Sequence, residues 1–245
     1  FLRHTQDYMR LAHEGHNVRG MTDHNDAGHV RHTHHDATDD PAFGDLLDLD
    51  GQVLHRYWNE VLAWVQDAAG PTQRRVLDLG AGTGTATIAL AQRFAGAEIV
   101  AIDASEQMLN RIRTKASDLG LGQRIRSLQA DLDDAWPDLA PVDVTWASMS
   151  LHHLADPDRV LADVFAATRP GGLIAVAEMT EPLRYLPYDL GLGRPGLEDR
   201  CFDALRQEHA QSLPHLGSDW APRLGAAGFT VLDQRAFTVD PDPPY

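Results

Sequence analysis

The sequence has little cysteine, few basic side chains and no long apolar run. Cys201 is the one cysteine in 245 residues, so no disulfide can form within this sequence, and a reducing compartment is favoured. The 21 lysines and arginines are outnumbered by 36 acidic residues, for a formal net charge of -15, which disfavours binding to nucleic acid phosphates. No apolar run reaches the roughly 20 residues of a membrane span. We expect a cytoplasmic protein that binds neither nucleic acids nor membranes.

The first 42 residues are rich in histidine and poor in aliphatic side chains. Eight of the 13 histidines lie there, and such a composition buries too little apolar surface to offset the entropy lost on ordering. We therefore expect residues 1–42 to be a mostly disordered tail. Within it, Met21 is the expected native start, which would make residues 1–20 an upstream extension.

Part of this tail has the composition of a metal site, because clustered neutral imidazoles bind zinc, nickel or copper. The alternative is a solvated tail that binds metal only incidentally. The sequence supplies no cysteine or carboxylate partners at fixed geometry, which favours the second interpretation, and no functional metal is predicted. The densest histidines are His29, His32, His34 and His35.

Strand and helix patterns alternate over residues 43–245. Apolar residues recur at helical spacing from Leu54 to Val65, which predicts an amphipathic helix. Short aliphatic or β-branched segments then alternate with helical ones, which indicates right-handed βαβ units and a parallel sheet covered on both faces. The predicted strands are residues 75–79, 98–102, 124–130, 142–148 and 173–178. The sequence therefore predicts one doubly wound α/β domain with its ligand beyond the carboxyl ends of the strands.

The segment VLDLGAGTGTAT, residues 76–87, joins the first of these strands to a helix. Its three alternating glycines let the backbone turn tightly and approach a ligand without interference from Cβ atoms. The dinucleotide-binding spacing G-x-G-x-x-G would need glycine where the sequence has Thr85. Asp78, at the mouth of the loop, would oppose a pyrophosphate and favour an ammonium or a sulfonium. S-adenosylmethionine carries both of these cations.

The second predicted strand leads to Asp103, 19 residues after Gly84. An acid at that strand tip can accept hydrogen bonds from both hydroxyls of a ribose. The glycine loop and Asp103 together predict a nucleoside-binding site.

Five segments together resemble the class I S-adenosylmethionine-dependent methyltransferases, and within them the small-molecule branch. They are VLDLGAGTG, Asp103, the Ala-Asp pair at 130 and 131, DVTWASMSLHHL at 143–154 and RPGGLIAVAE at 169–178. The likeness runs from about Leu54 to Val239. It implies a seven-stranded, mostly parallel sheet, S-adenosyl-L-methionine as cofactor and S-adenosyl-L-homocysteine as product.

The resemblance also implies a role for individual positions. The methionine portion would be held by Asp78, Gly80, Ala81, Gly82, Thr83 and Gly84. The ribose would be held by Asp103 and Ala104, the adenine by Met108, Asp131 and Leu132, and the sulfonium would be lined by Ser148 and Met149. Two of these roles have open alternatives, since Met108 could be ordinary helix core and Asp131 could cap the turn that follows it.

Methyl transfer from a sulfonium is an in-line displacement that mainly needs a nucleophile held about 3 Å from the methyl carbon. A hydroxyl nucleophile also benefits from a base, and His152 and His153, just past the fourth predicted strand, are the candidates. The alternative is that the pair only packs or caps the loop before Asp156. That alternative is favoured because the resembling family often has two histidines here whatever its nucleophile.

Substrate choice is expected to come from two parts outside the shared core. One is the helix that carries Tyr57 and Trp58, and the other is an insertion around residues 180–215, which would act as a lid. Cys201, in this insertion, is expected to be a packed small residue rather than a nucleophile. The candidate substrate contacts in the insertion are Arg184, Tyr185 and Tyr188, of which the arginine suits a carboxylate.

The sequence departs from the resembling family after residues 228–240, where the family adds a further antiparallel strand. Either the sequence is truncated or the missing strand is replaced, for instance by a neighbouring subunit. An open sheet edge invites pairing, so a homodimer through that edge is expected.

The predicted function is transfer of a methyl group from S-adenosylmethionine to an oxygen, nitrogen or carbon nucleophile of a small molecule. One alternative is a nicotinamide-dependent oxidoreductase, which Thr85 and Asp78 disfavour. The other is a non-catalytic protein of the same fold with a metal-binding histidine tail.

Overall fold

The computed structural model describes residues 6–14, 41–179 and 186–238, with the backbone alone for 6–14, 207–211 and 238. The strands are β1 (Gln6–Glu14), β2 (Arg75–Leu79), β3 (Glu98–Asp103), β4 (Ile125–Gln129), β5 (Val142–Ser148), β6 (Thr168–Met179) and β7 (Phe229–Thr238). The helices are α1 (Pro41–Val53), α2 (His55–Ala69), α3 (Thr85–Arg93), α4 (Glu106–Asp118), α5 (Pro157–Ala167), α6 (Leu197–Ser212) and α7 (Trp220–Ala227). A short 3₁₀ turn spans Leu151–His153.

The strands form one seven-stranded sheet in the order β4-β3-β2-β5-β6-β1-β7. The pairs β2–β3, β3–β4, β2–β5 and β5–β6 are parallel. The chain runs outward from β2 to β4 and then returns to β5 on the other side of β2, so the strand order reverses between β2 and β5. The predicted doubly wound sheet is thereby confirmed, and its switch point, where such sheets bind ligands, lies at the glycine loop.

Helices cover both faces of the sheet because successive strand residues point to opposite sides. Val76, Val144 and Trp146 pack with α2 and α3 on one face, while Leu77 and Ala147 pack with α5 and α7 on the other. Both faces are mostly apolar at the centre of the sheet, as expected for parallel strands buried on two sides, with Asp78 and Thr145 as buried polar exceptions. This core fixes the strand ends from which the site is built.

The antiparallel position between β6 and β7 is occupied by β1, from the region interpreted above as a disordered tail. β1 is antiparallel to both neighbours, with Tyr8 opposite Glu178 of β6 and Ala236 of β7. The prediction of disorder is therefore wrong for Gln6–Glu14. It considered only apolar burial, whereas a strand between two others gains partners for its backbone N–H and C=O groups on both sides. The histidine cluster at 29–35 lies outside the described residues.

From the sequence alone, we expected the sheet to lack its last antiparallel strand. The structure has an antiparallel strand at that position, which is β1. β1 covers the edges of β6 and β7 that face each other. The homodimer was argued from an open edge beside β7, and this argument loses its basis. A homodimer itself stays a prediction.

The insertion after β6 packs less tightly than predicted. Leu197, Cys201 and Leu205 share one face of α6, but all three are exposed to solvent. The expectation that Cys201 is a packed core residue is therefore wrong, because apolar spacing along a helix shows which residues share a face and not what covers it. In the part of the chain that the structure describes, no helix has the length and apolar character needed to cross a bilayer.

Candidate functional site

The loop between β2 and α3 folds back over the end of β3. Gly80 and Ala81 both donate their backbone N–H to the carbonyl oxygen of Ile102, at 2.9 Å each. Gly80, Gly82 and Gly84 have φ angles of +71°, +52° and +88°, in the left-handed region that glycine adopts without strain. A Cβ atom on Gly80 would overlap the side chain of Ser150, so this glycine also permits close packing.

Gly82 faces more open space than its neighbours. A Cβ atom built there would meet only Leu47 of α1, at 3.7 Å, whereas one on Gly84 would lie 2.7 Å from Ile112. The loop therefore presents bare backbone toward α1 at its centre. This is where the resemblance places S-adenosylmethionine, and the space and the absent side chain fit that group.

Asp103 lies beside the same glycine. Its Oδ2 accepts the backbone N–H of Gly82 at 2.8 Å, and its Oδ1 accepts that of Ser105 at 2.9 Å. Burial raises the pKa of the Asp103 carboxyl, although the N–H groups of Ser105, Gly82 and Ala104 oppose that shift. A carboxylate has about four acceptor sites, so the loop orients this acid with acceptor capacity left for a ligand hydroxyl. The geometry fits the predicted ribose contact.

Asp78 is not at the mouth of the loop, which corrects the sequence interpretation. It belongs to β2, is 2% exposed, and accepts a hydrogen bond from Thr87 Oγ1 at 2.5 Å. Burial raises its pKa to about 7, and the nearby negative charge of Asp103 adds to the shift. The side chain points into the protein because β2 is buried on both faces. Asp78 therefore lies beneath the loop rather than at its mouth.

The residues predicted to hold the adenine lie at the neighbouring strand ends. The N–H of Ala130 donates to the carbonyl oxygen of Asp103 at 3.1 Å, which brings the ends of β3 and β4 together. Met108 and Leu132 are buried there. Asp131 accepts the N–H of Asp133 at 2.9 Å, the geometry of the turn cap considered as its alternative role.

Helix α1 covers the glycine loop, and no motif in the sequence had indicated this. Gly51 of α1 approaches Thr85 so closely that a Cβ atom would lie 2.6 Å from Thr85 Oγ1. Asp48 accepts hydrogen bonds from Lys115 Nζ at 2.5 Å and Arg111 Nη1 at 3.1 Å. Lys115 Nζ also donates to the carbonyl oxygen of Thr83, at 2.8 Å. Ion pairs therefore join α1 to α4, and a hydrogen bond from Lys115 joins α4 to the glycine loop.

The ion pairs between α1 and α4 lower the pKa of Asp48. Burial alone would raise the pKa of Asp48, but hydrogen bonds from Lys115, Thr83 and Arg111, with the charge of Lys115, outweigh it and hold the pKa below its ordinary value. Asp48 is therefore charged at neutral pH. The signal that could have identified α1 is the pair Gly44 and Gly51 flanking Asp45 and Asp48, since glycines two turns apart permit close helix packing.

The loop after β5 lies against the glycine loop. Met149 has a φ of +53°, and it is the one non-glycine residue with positive φ in the described ranges. Such a conformation costs on the order of 1 kcal/mol or more and concentrates at functional sites. Ser150 Oγ donates to the carbonyl oxygen of Leu79 at 2.8 Å. Ser148 and Met149, the predicted sulfonium contacts, are thus held next to the end of β2.

The two candidate bases differ in their surroundings. His152 is buried, and its Nδ1 lies 2.6 Å from Oε2 of Glu178, with both side chains 5% exposed. His153 is exposed, and the two imidazole rings are 4.1 Å apart. Glu178 was not singled out from the sequence. An acid at the end of the apolar segment LIAVAE is the signal that could have identified it, because a buried carboxylate needs a partner.

The predicted substrate residues are only partly brought together. Tyr57 and Trp58 are half-buried in an aromatic cluster, where Tyr57 contacts Phe237 and Trp58 contacts Trp146 at centroid distances of 6.1 Å each. Both rings therefore pack against other aromatic side chains of the protein. Their contact with substrate stays a prediction. Tyr188 is 65% exposed. Arg184 and Tyr185 lie outside the described residues.

No group of three or more histidine, cysteine or acidic side chains with metal-site geometry occurs within residues 41–179 and 186–238. The site described here is therefore assembled from bare backbone, buried carboxylates and one buried histidine.

A family model described as "Methyltransferase domain" matches residues 76–172. The match begins in β2, ends in β6, and includes the glycine loop, Asp103 and His152. These residues are similar to a methyltransferase domain.

The relatives that resemble this chain act on different molecules, to judge from their names. A ubiquinone/menaquinone biosynthesis C-methyltransferase of Idiomarina loihiensis is 30% identical over 56% of this chain and 55% of its own length. A 27-O-demethylrifamycin SV methyltransferase of Amycolatopsis mediterranei is 33% identical over 56% of this chain and 55% of its own. The chain thus spans about half the length of these curated relatives.

The fold is shared with solved structures as well. One, from Methanococcus maripaludis, is assigned to the S-adenosyl-L-methionine-dependent methyltransferases and aligns with a TM-score of 0.51 at 18% identity. The alignment covers 80% of this chain and 77% of that one. At this identity the likeness shows the fold alone.

Proposed function

We propose that this protein transfers a methyl group from S-adenosyl-L-methionine to a small-molecule acceptor. The observation that carries the proposal is the pairing of Asp103 with Gly82, in which a half-buried carboxylate is oriented by backbone N–H groups beside open glycine backbone. Such a pair suits a nucleoside whose ribose hydroxyls both donate hydrogen bonds. When bound, this cofactor supplies an electrophilic methyl group on a cationic sulfur and leaves as S-adenosyl-L-homocysteine.

Four parts of the site would each bind a different portion of the cofactor. The backbone of the glycine loop would hold the methionine portion, with Asp78 contributing a negative charge beneath it. Asp103 and Ala104 would hold the ribose. The adenine would lie against Met108 and Leu132, with Asp131 at its edge, and Ser148 and Met149 would line the sulfur. Reaction then depends on positioning, because displacement at a methyl carbon needs alignment more than chemical assistance.

The acceptor class is supported by the relatives and by the charge of the chain. The names of the two relatives refer to quinone biosynthesis and to a rifamycin, and both are small organic molecules. A net charge of -15 would repel a nucleic acid substrate. The single cysteine favours the reducing environment of the cytoplasm.

Calorimetric titration of the purified protein with S-adenosylmethionine, S-adenosylhomocysteine, NADH and nickel chloride tests the proposal. We expect saturable binding of the two sulfur nucleosides and none of NADH. Methyl transfer is then measured with S-adenosylmethionine labelled in its methyl group against quinone precursors and hydroxylated aromatic compounds. Binding of NADH alone would favour the oxidoreductase, and binding of nickel alone would favour a metal-binding role of the histidine tail.

A further inference from the structure

The outer edge of β7 is open in the part of the chain that the structure describes. β7 is the last strand of the sheet and pairs with β1 on one side, while no described strand lies on its other side. Its residues 230–236 are all exposed. An edge of this kind presents backbone N–H and C=O groups to which a further strand can be added.

A bulge limits how long an added strand could be. The register between β1 and β7 shifts between Leu11 and Ala12, which leaves Leu232 as the extra residue of β7. Bulges bend the strand and interrupt its ladder. The regular part of the outer edge therefore begins at about Leu232, and any ladder formed there is short.

Asp233 and Arg235 are the charged side chains of this short segment. Nε of Arg235 donates to Oδ2 of Asp233 at 3.1 Å, and Oδ1 of Asp233 accepts the backbone N–H of Gln234 at 2.8 Å. The guanidinium carbon lies 4.6 Å from the ring centroid of Trp64, a cation–π contact that holds the group in place. Among the described residues, the two Nη groups of Arg235 have no hydrogen-bond partner. They remain available to a carboxylate from outside the chain.

The order of these charges favours one pairing between two copies of β7. Identical strands that pair antiparallel are related by a twofold axis. Opposite residues must direct their backbone groups alike, so the axis passes through a residue rather than between two. An axis at Asp233 would place two carboxylates opposite each other, and an axis at Arg235 two guanidinium groups, both of which are unfavourable. An axis at Gln234 places Asp233 of each copy opposite Arg235 of the other.

We propose that the outer edge of β7 binds β7 of a second copy of this chain, antiparallel and with Gln234 on the twofold axis. Backbone hydrogen bonds join the two sheets into one continuous sheet. The two ion pairs between Asp233 and Arg235 select the register, and Leu232 lies opposite Ala236. Because so short a ladder buries less surface than a stable interface, the dimer dissociates on dilution. The inference does not depend on the proposed function.

Sedimentation velocity of the wild type over about a hundredfold range of concentration tests the association. The buffer has physiological ionic strength, at which a Debye length of about 8 Å screens the repulsion between two chains of high net charge. We expect the sedimentation coefficient to rise with concentration from that of a monomer to that of a dimer.

Charge reversal tests the register. Asp233→Arg and Arg235→Asp each place like charges opposite each other in the dimer, so each variant alone should remain monomeric at every concentration. The first variant is positively charged at both positions and the second is negatively charged at both. An equimolar mixture should therefore form a heterodimer. Since the ion pair within each chain is still broken in the mixture, a recovered dimer reports contact between copies.

A disulfide tests the position of the axis. In a Cys201→Ser background, which removes the one native cysteine, Gln234→Cys places two thiols opposite each other. Their Cα atoms would be about 4.5 to 5.5 Å apart, which suits a disulfide. Leu232→Cys is the matched control, because Leu232 of the other copy lies four positions further along, about 14 Å away. We expect a cross-linked dimer from Gln234→Cys and none from Leu232→Cys.

Three results would overturn the proposal. They are a wild type that stays monomeric over the whole range, a mixture of the two charge variants that forms no heterodimer, and equal cross-linking of the two cysteine variants. Failure to bind S-adenosylmethionine would overturn the proposed function alone and leave this dimer standing.

Discussion

At the scale of single residues, Asp78 makes the stability of the folded protein depend on pH. Its pKa in the folded protein is about 7, raised from 3.8 mainly by burial, so folding takes up a proton between these two values. The stability contributed by the protonated form is fully present below about pH 4 and is lost as the pH rises through 7. A bound cation above the loop would oppose that loss by favouring the ionised form.

The substitution Asp78→Asn should remove this pH dependence, because the amide does not titrate and can still accept the hydrogen bond from Thr87. Between pH 5 and pH 8 we expect the unfolding free energy of the wild type to fall by about 3 kcal/mol relative to the variant. Urea denaturation at several pH values measures the difference.

Asp143→Asn provides the comparison for this pH effect. Hydrogen bonds from Arg169, Arg75 and Arg74 outweigh burial and keep the pKa of Asp143 below its ordinary value. Its stabilising effect is therefore lost only as the pH falls below about 4, and the effect of substituting it should be constant from pH 5 to pH 8. A difference between wild type and Asp78→Asn that does not vary with pH would contradict the buried, titrating acid.

The other acid of the site should matter for binding. Asp103→Asn replaces a charged acceptor by an amide, whose NH₂ group must face one of the two backbone N–H donors or a ribose hydroxyl. We expect its affinity for S-adenosylhomocysteine to fall about 10- to 100-fold, the range for hydrogen bonds to a charged group. Calorimetry measures this change, and Asp118→Asn, at an exposed residue of α4, should bind like the wild type. Unchanged affinity in Asp103→Asn would remove the main support for the ribose contact.

At the scale of elements, α1 depends on close contact with the start of α3. Gly51→Ala should separate these helices, because the new methyl group would overlap the side chain of Thr85, whose carbon and oxygen atoms lie 2.6 to 3.3 Å away. We expect faster hydrogen exchange of α1 and the glycine loop, and a loss of stability, although alanine favours helix more than glycine does.

Gly225→Ala is the matched control for this effect, since Gly225 lies within helix α7 and a Cβ atom there would meet nothing within 4 Å. This substitution should raise the unfolding free energy by up to about 1 kcal/mol. The two variants therefore differ in the sign of their effect in a thermal melt. Stabilisation by Gly51→Ala would show that α1 does not rest on the loop as described.

The sequence predicted the elements whose signals are local. The glycine loop and Asp103 were found because their spacing is set by one helix and one strand, and α2 because its apolar period is 3.6 residues. Glu178 was missed, and Asp78 misplaced, because a carboxylate shows its burial only when strands from other parts of the chain surround it. β1 was missed because its pairing depends on residues more than 150 positions away.

At the scale of the whole molecule, β1 completes the sheet. Removal of residues 1–14 would expose the facing edges of β6 and β7, which β1 now pairs along Asp7–His13 and Gln6–Glu14 respectively. Unpaired edges lose backbone hydrogen bonds and promote aggregation. We expect the shortened chain to melt at a lower temperature and to sediment as larger species.

A synthetic peptide of residues 6–14 should restore part of the lost stability by strand addition. The same peptide with proline in place of Tyr8 and Arg10 should not, because proline cannot donate a backbone hydrogen bond within a sheet. If the shortened chain melts like the full one and remains monomeric, β1 does not complete the sheet.

The position of β1 has a consequence during synthesis on the ribosome. β1 is translated before its partners, yet its two neighbours are residues 168–179 and 229–238, so it has neither until most of the chain has emerged. Contacts between such distant segments form slowly, and an unpaired strand is a target for chaperones in the interval. Insertion of β1 between both neighbours therefore has to wait for the synthesis of β7.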